Sequence, residues 1–284
     1  FTGVEVVDGG AGDDDFTVQN TGSVTGTLLG LVGGAGTDGL TGSDADEFFN
    51  VTGPGAGTID RDGVITNFSE MENLDGAGGT NTLTLGGSGS IAGTISNFGA
   101  IILPTVNGTA AVDDITIQLN PTTFALEVIV NDGMTTTTTS FFTPGLNSNV
   151  ALAIEGGDSA DTIIIDHRNG FINADISVNP SGGTGGDTVQ VFGTGAHTAT
   201  YLPGDNTDNG VAEVTNTVTD SVQTIDFDGL APFEFIGQLT VSFVTPRSAD
   251  VITLDDAVAP SGSNSLRVMG TSRVFGGANL VFET

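Results

Sequence analysis

Nine-residue blocks that open on two adjacent glycines constrain this chain more than any other feature. Gly9-Gly10-Ala11-Gly12-Asp13-Asp14-Asp15-Phe16-Thr17, Gly33-Gly34-Ala35-Gly36-Thr37-Asp38-Gly39-Leu40-Thr41 and Gly182-Gly183-Thr184-Gly185-Gly186-Asp187-Thr188-Val189-Gln190 all fit Gly-Gly-x-Gly-x-Asp-x-apolar-x. The glycines permit a tight turn with positive φ, the Asp supplies a hard carboxylate oxygen, and the apolar residue two places later anchors a core. Turn, oxygen donor and core anchor therefore recur as one unit, which is the signature of a repeat architecture.

The Asp-x-apolar step also recurs outside the full blocks. Asp14, Asp38 and Asp62 stand 24 residues apart, Asn81 before Leu83 follows 19 later, and Asp113, Asp132, Asp161, Asp187, Asp208, Asp228 and Asp250 continue the series with gaps among them between 19 and 29, Asn81 and Asp208 being departures from the strict step. A mean near 22 residues is about one coil of a parallel β-solenoid, whose strands stack at roughly 4.8 Å, and it predicts about a dozen coils. The segments that follow alternate with period two, as in Ile115-Thr116-Ile117-Gln118-Leu119 and Val189-Gln190-Val191, and are bounded by Gly, Asp and Asn. No stretch carries a helical apolar stripe. The expected class is all-β, a parallel β-helix. A change of character near Pro104 to Val112 divides it into a Gly/Asp-rich, β-roll-like part over 1–108 and a longer-stranded part over 109–284, the two readable as one continuous solenoid. The threonine run from Thr135 to Ser140 reads as an exposed loop or edge strand.

The chain has 284 residues, 35 acidic side chains against five basic ones, and a formal net charge of −30. That balance excludes nucleic acid as a partner on Coulomb grounds. With 37% hydrophobic residues the chain is too apolar for disorder, so a folded surface this acidic calls for cations. Forty-four glycines without a three-residue period read as repeated turns. There is no cysteine, hence no disulfide, thiolate metal site or thiol nucleophile. No apolar run is long enough to cross a bilayer as a helix. The first residue falls inside an internal repeat, Phe1 to Gly9 matching Phe68 to Gly76, which predicts a piece of a longer secreted protein.

Hard oxygen ligands in such numbers suit calcium over zinc or copper. The candidate ligands are Asp13, Asp14 and Asp15 with Asp38, Asp44 and Asp46, and further along Asp158, Asp161 and Asp187. Carboxylates crowded within a few Å repel unless a cation sits among them. Residues 9–17, 33–41 and 182–190 resemble the haemolysin-type, RTX-like calcium repeats of secreted bacterial proteins. Asp226-Phe227-Asp228-Gly229-Leu230-Ala231-Pro232 and Gly156 to Asp166 are similar to repeats of giant bacterial surface proteins and adhesins. The resemblance implies secretion, calcium-dependent folding outside the cell and a right-handed β-roll or β-helix. It departs from the family in that the nonapeptides here do not run in long tandem.

The expected function is a non-enzymatic, calcium-binding structural solenoid at the cell surface. It either self-associates head to tail through its terminal strands into a filament or layer, or continues in a giant adhesin with a cell-surface or polysaccharide ligand. The alternative is a β-helix polysaccharide lyase or hydrolase using Asp60-Arg61-Asp62 or Asp166-His167-Arg168. With no Trp and Tyr201 as the only Tyr, a sugar cleft is poorly supplied. His197 reads as a surface or turn histidine.

Overall fold

A computed structural model describes residues 6–19, 30–141, 150–179, 187–204, 209–228, 230–244, 251–258, 264–271 and 279–283. The start of the Phe1 repeat, Gly182 to Gly186 of the third nonapeptide, Asp208 and the segment Val274–Ala278 lie outside the described residues. Among the described residues every regular element is a strand and none is a helix, so the chain is all-β. It divides into two compact units, residues 1–104 with 141–151, and residues 105–140 with 152–284.

In the first unit the nonapeptides pair in register. Val6–Ala11 runs parallel to Gly30–Ala35, and Asp15–Thr17 runs parallel to Gly39–Thr41, which in turn pairs with Asn73–Asp75 and that with Ile95–Ser96. Parallel in-register pairing brings equivalent side chains over one another. Leu40 stacks on Leu74, and Phe49 of the Phe48–Gly53 strand stacks on Leu83 and then Ile101; Leu40, Leu74, Phe49 and Leu83 are almost wholly buried. Burying each such side chain is worth about 1.5–3 kcal/mol.

The second unit repeats the principle with β-branched residues. Asp114–Leu119, Thr162–Asp166, Asp187–Phe192 and Leu230–Ile236 are parallel neighbours. One inward row runs Ile115, Ile163, Val189, Phe233 and the next Ile117, Ile165, Val191, Phe235, all buried. Val and Ile fit this pleated, two-sided packing because their single preferred rotamers interdigitate on the sheet.

Uniformly parallel winding is not what the chain does. Ala56–Arg61 is inserted antiparallel between Phe48–Gly53 and Val64–Ser69, Leu126–Asn131 antiparallel to Asp114–Leu119, Gly210–Asn216 between His197–Pro203 and Val222–Phe227, and Asn264–Thr271 between Val251–Val258 and Asn279–Glu283. The cause is local. Asp62 and Gly63 both take positive φ (52° and 82°), the geometry of a type I′ hairpin turn, so the Asp62-Gly63-Val64 step closes a hairpin instead of opening a coil. Asp132 is likewise a turn residue: its Oδ1 accepts the backbone N–H of Met134 at 2.8 Å and of Thr135 at 2.6 Å. The threonine run forms the strand Thr136–Phe141, exposed along most of its length at the edge of its sheet.

Candidate functional site

Each recurrent acid sits two residues before an inward apolar residue: Asp14 before Phe16, Asp38 before Leu40, Glu47 before Phe49, Glu72 before Leu74, Asp113 before Ile115, Asp161 before Ile163 and Asp187 before Val189. Side chains two apart along a strand share a face, so the acid is carried toward the core with its neighbour. Asp38, Glu47, Asp113, Asp161 and Asp187 are accordingly 0, 0, 0, 1 and 2% exposed. A buried carboxylate must be hydrogen-bonded or neutralised.

The partner is the backbone of the preceding strand. Asp14 N–H donates to Asp38 Oδ1 at 2.8 Å, and Asp38 N–H donates to Glu72 Oε2 at 2.8 Å. Glu47 N–H donates to Asn81 Oδ1 at 2.8 Å. In the second unit Asp113 N–H donates to Asp161 Oδ1 at 2.8 Å, and Asp161 N–H to Asp187 Oδ1 at 2.7 Å. Sequence separations of 24, 34, 34, 48 and 26 residues thus converge on one geometry. These are charge-assisted bonds wherever the acceptor is ionised. An outer row runs the other way: Asp13 Oδ1 accepts Thr37 N–H at 2.9 Å and Asp46 Oδ1 accepts Thr80 N–H at 2.7 Å.

The nine expected ligands are therefore sorted, not gathered. Asp14, Asp38, Asp161 and Asp187 form inner rows within their own units. Asp13, Asp15, Asp44, Asp46 and Asp158 are exposed. Among the described residues no three Asp, Glu or His side chains form a group that could hold a metal ion. A calcium ion at the inner row would have to draw on oxygens beyond these carboxylates. One oxygen of Asp38, Asp161 and Asp187 is committed to an amide, and the Oδ2 atoms of Asp38 and Asp14 lie beside a glycine: a Cβ on Gly33 would stand 2.7 Å from Asp38 Oδ2, and one on Gly9 2.6 Å from Asp14 Oδ2. Calcium needs six to eight oxygens at roughly 2.3–2.6 Å.

At Asp14, Asp38, Glu47, Asn81, Asp113 and Asp161 the second side-chain atom varies with the residue four places upstream. Where that residue is Ser43 or Thr109, its N–H donates to the acid, at 2.8 Å to Glu47 Oε2 and 2.6 Å to Asp113 Oδ2. Where it is Gly10, Gly34 or Gly157, with φ of 91°, 103° and 114°, Oδ2 of Asp14, Asp38 and Asp161 is buried without a hydrogen-bond partner. Where it is Ala77, with φ of 58°, the ladder residue is Asn81, whose Nδ2 donates to the carbonyls of Gly76 and, at 2.6 Å, Gly78. Burial, with the Asp187 and Asp113 charges adding to it against the Asp113 amide bond, holds the Asp161 carboxyl above the usual range, and burial does the same to Asp187.

The residues considered for catalysis are engaged locally. Asp166 forms a two-pronged pair with Arg168, Nη2 to Oδ2 at 2.7 Å and Nε to Oδ1 at 2.9 Å, and the guanidinium lies 4.4 Å from the centre of the Phe192 ring. Asp60 Oδ1 caps Gly63 N–H at 2.9 Å, and Arg61 Nη1 donates to the Gln19 carbonyl. His197 is not a surface histidine: it is 3% exposed and packs edge-on to His167, ring centres 5.2 Å apart. His167 accepts Ile172 N–H on Nδ1, and burial, then the neighbouring His197, push it down to about 3.

Comparison with family models, with curated proteins and with solved structures gives no match. The inner ladder, described from its own residues, is the feature of this chain that calls for a functional account.

Proposed function

We propose that the chain is a non-enzymatic structural segment of an extracellular bacterial surface protein. It winds as a right-handed β-solenoid interrupted by hairpins, with fewer coils than the Asp spacing predicts because Asp62 and Asp132 sit in hairpin turns. The observation that carries this reading is the in-register stack Ile115, Ile163, Val189, Phe233 with the acid ladder beside it, since a repeating core built from nearest-neighbour contacts is what a load-bearing repeat array uses. A local ion pair at Asp166 and Arg168 and a neutral buried His167 support a structural role over carbohydrate cleavage.

In the same proposal calcium screens the exposed Asp13, Asp15, Asp44 and Asp46 of the first unit and Asp158 of the second against a net charge of −30, and strand edges add further copies or further repeats of a longer chain. Sedimentation over a range of protein concentration in millimolar calcium and in chelator tests it. Growth of large species in calcium alone is expected. A monomer in both buffers removes the filament reading, and the mass of the native polypeptide then tests the adhesin reading. Release of unsaturated or reducing ends from acidic polysaccharide would overturn the non-enzymatic reading.

A further inference from the structure

We infer that the inner row is a metal-free register device, in which the residue four places upstream fixes whether an acid or an amide belongs at the ladder position. Three chemically different side chains, Asp, Glu and Asn, hold the amide of the preceding strand's ladder residue at 2.7–2.8 Å. A register bond requires only an acceptor oxygen, and the neutral Asn81 supplies one as well as the carboxylates do. Asn81 also turns an NH2 donor to the place of a second carboxylate oxygen, and an NH2 group cannot coordinate a cation.

Asn81 also shows what the second atom of the side chain faces. Its Nδ2 donates to the carbonyls of Gly76 and Gly78. Gly76 lies five residues upstream, as Gly33 does of Asp38 and Gly156 of Asp161. These carbonyls share an orientation, each turned at the glycine of the preceding strand: Gly76 O at Gly42, Gly33 O at Gly9, Gly156 O at Gly108. An amide at 38 or 161 therefore has acceptors to donate to, whereas the carboxylate leaves Oδ2 buried and unpartnered. At Asp113 the relation inverts, because Oδ2 accepts Thr109 N–H at 2.6 Å and an amide NH2 there would face a donor. The acid is required at 113 and dispensable at 38 and 161.

The proposal uses only the parallel pairing described above, and the sedimentation experiment decides the assembly reading separately. Asp38→Asn, Asp161→Asn, Asp113→Asn and the matching Ala variants are compared by thermal unfolding in chelator and in millimolar calcium. Expected are midpoints for Asp38→Asn and Asp161→Asn at or above wild type in both buffers, and a fall of about 3–8 °C for Asp113→Asn and for all three Ala variants. Amide exchange on the wild-type chain provides a second reading, with Asp14 and Asp113 N–H protected equally in both buffers. The proposal is overturned if chelation lowers the wild-type midpoint to that of Asp38→Asn or Asp161→Asn while calcium fails to raise those variants. It is also overturned if protection of the Asp14 and Asp113 amides is lost in chelator.

Discussion

The inner row of the first unit is chemically mixed and that of the second is uniform. Asp14, Asp38 and Glu72 form one run and Glu47 with Asn81 another, whereas the second unit uses Asp113, Asp161 and Asp187 throughout. Both rows hold the same bond at nearly the same length. The difference teaches that acceptor geometry is the requirement and negative charge a burden, visible in the second unit as Asp161 and Asp187 carboxyls displaced upward by burial.

The sharpest way to break the comparison is at the glycine five residues before each ladder acid. A Cβ on Gly33 would collide with the Glu70 carbonyl, and one on Gly108 with the Gly156 carbonyl. Gly33→Ala and Gly108→Ala are each expected to abolish cooperative unfolding of their own unit, read by amide exchange residue by residue, because backbone cannot yield as a side-chain tip can. Equal and local losses would show that both rows use one loop design.

Acid separates the units next. His167 is held neutral, so its contribution is fully present above its unfolded value of about 6.5 and is lost as pH falls toward about 3, on the order of 4 kcal/mol at the lower end. Asp161 and Asp187 act in the opposite sense. Their folded values are raised, so their contribution is full below about 3.8 and lost as pH rises through the raised values. The second unit is expected to show a stability maximum at acidic pH, measured by urea midpoints. His167→Phe should remove the acid limb and Asp161→Asn should flatten the alkaline limb.

Smaller still is truncation of a single rung. Asp161→Ala leaves the Asp113 amide buried and unpaired, at a cost of about 1–3 kcal/mol, and Asp38→Ala should do the same to Asp14. The least effect is expected from Arg168→Ala. The Arg168 side chain is 58% exposed, and solvent screening holds its pair with Asp166 to about 1 kcal/mol or less by denaturant titration.

Part of this was legible in the residues. The Asp-x-apolar step marks strand entry, and its period-two continuation marks the buried rows. Parity places the acid as well: Asp161 and Ile163, two residues apart, face the same way, so the ladder acid is internal. Asn81 stands in the Asp-x-apolar series as a variant step, whereas Glu47 and Glu72 do not because they are not aspartates, yet Gly42, Gly76, Gly108 and Gly156 five residues ahead of Glu47, Asn81, Asp113 and Asp161 spell a shared pattern. Asp62-Gly63 and Asp132-Gly133 look like further steps, and only backbone dihedrals distinguish a hairpin reversal from a coil corner. The pairing of His167 with His197 depends on nonlocal stacking, for which a lone histidine beside Gly195 and Ala196 gives no signal.

Every inner bond is directed: the earlier residue donates and the later one receives. A rung is therefore completed only by sequence that emerges afterwards from the ribosome. Until the successor arrives, the amide of Asp14, Asp38 or Asp113 has water as its partner. The architecture has a built-in arrow of assembly, each turn of chain ratified by the one that follows it.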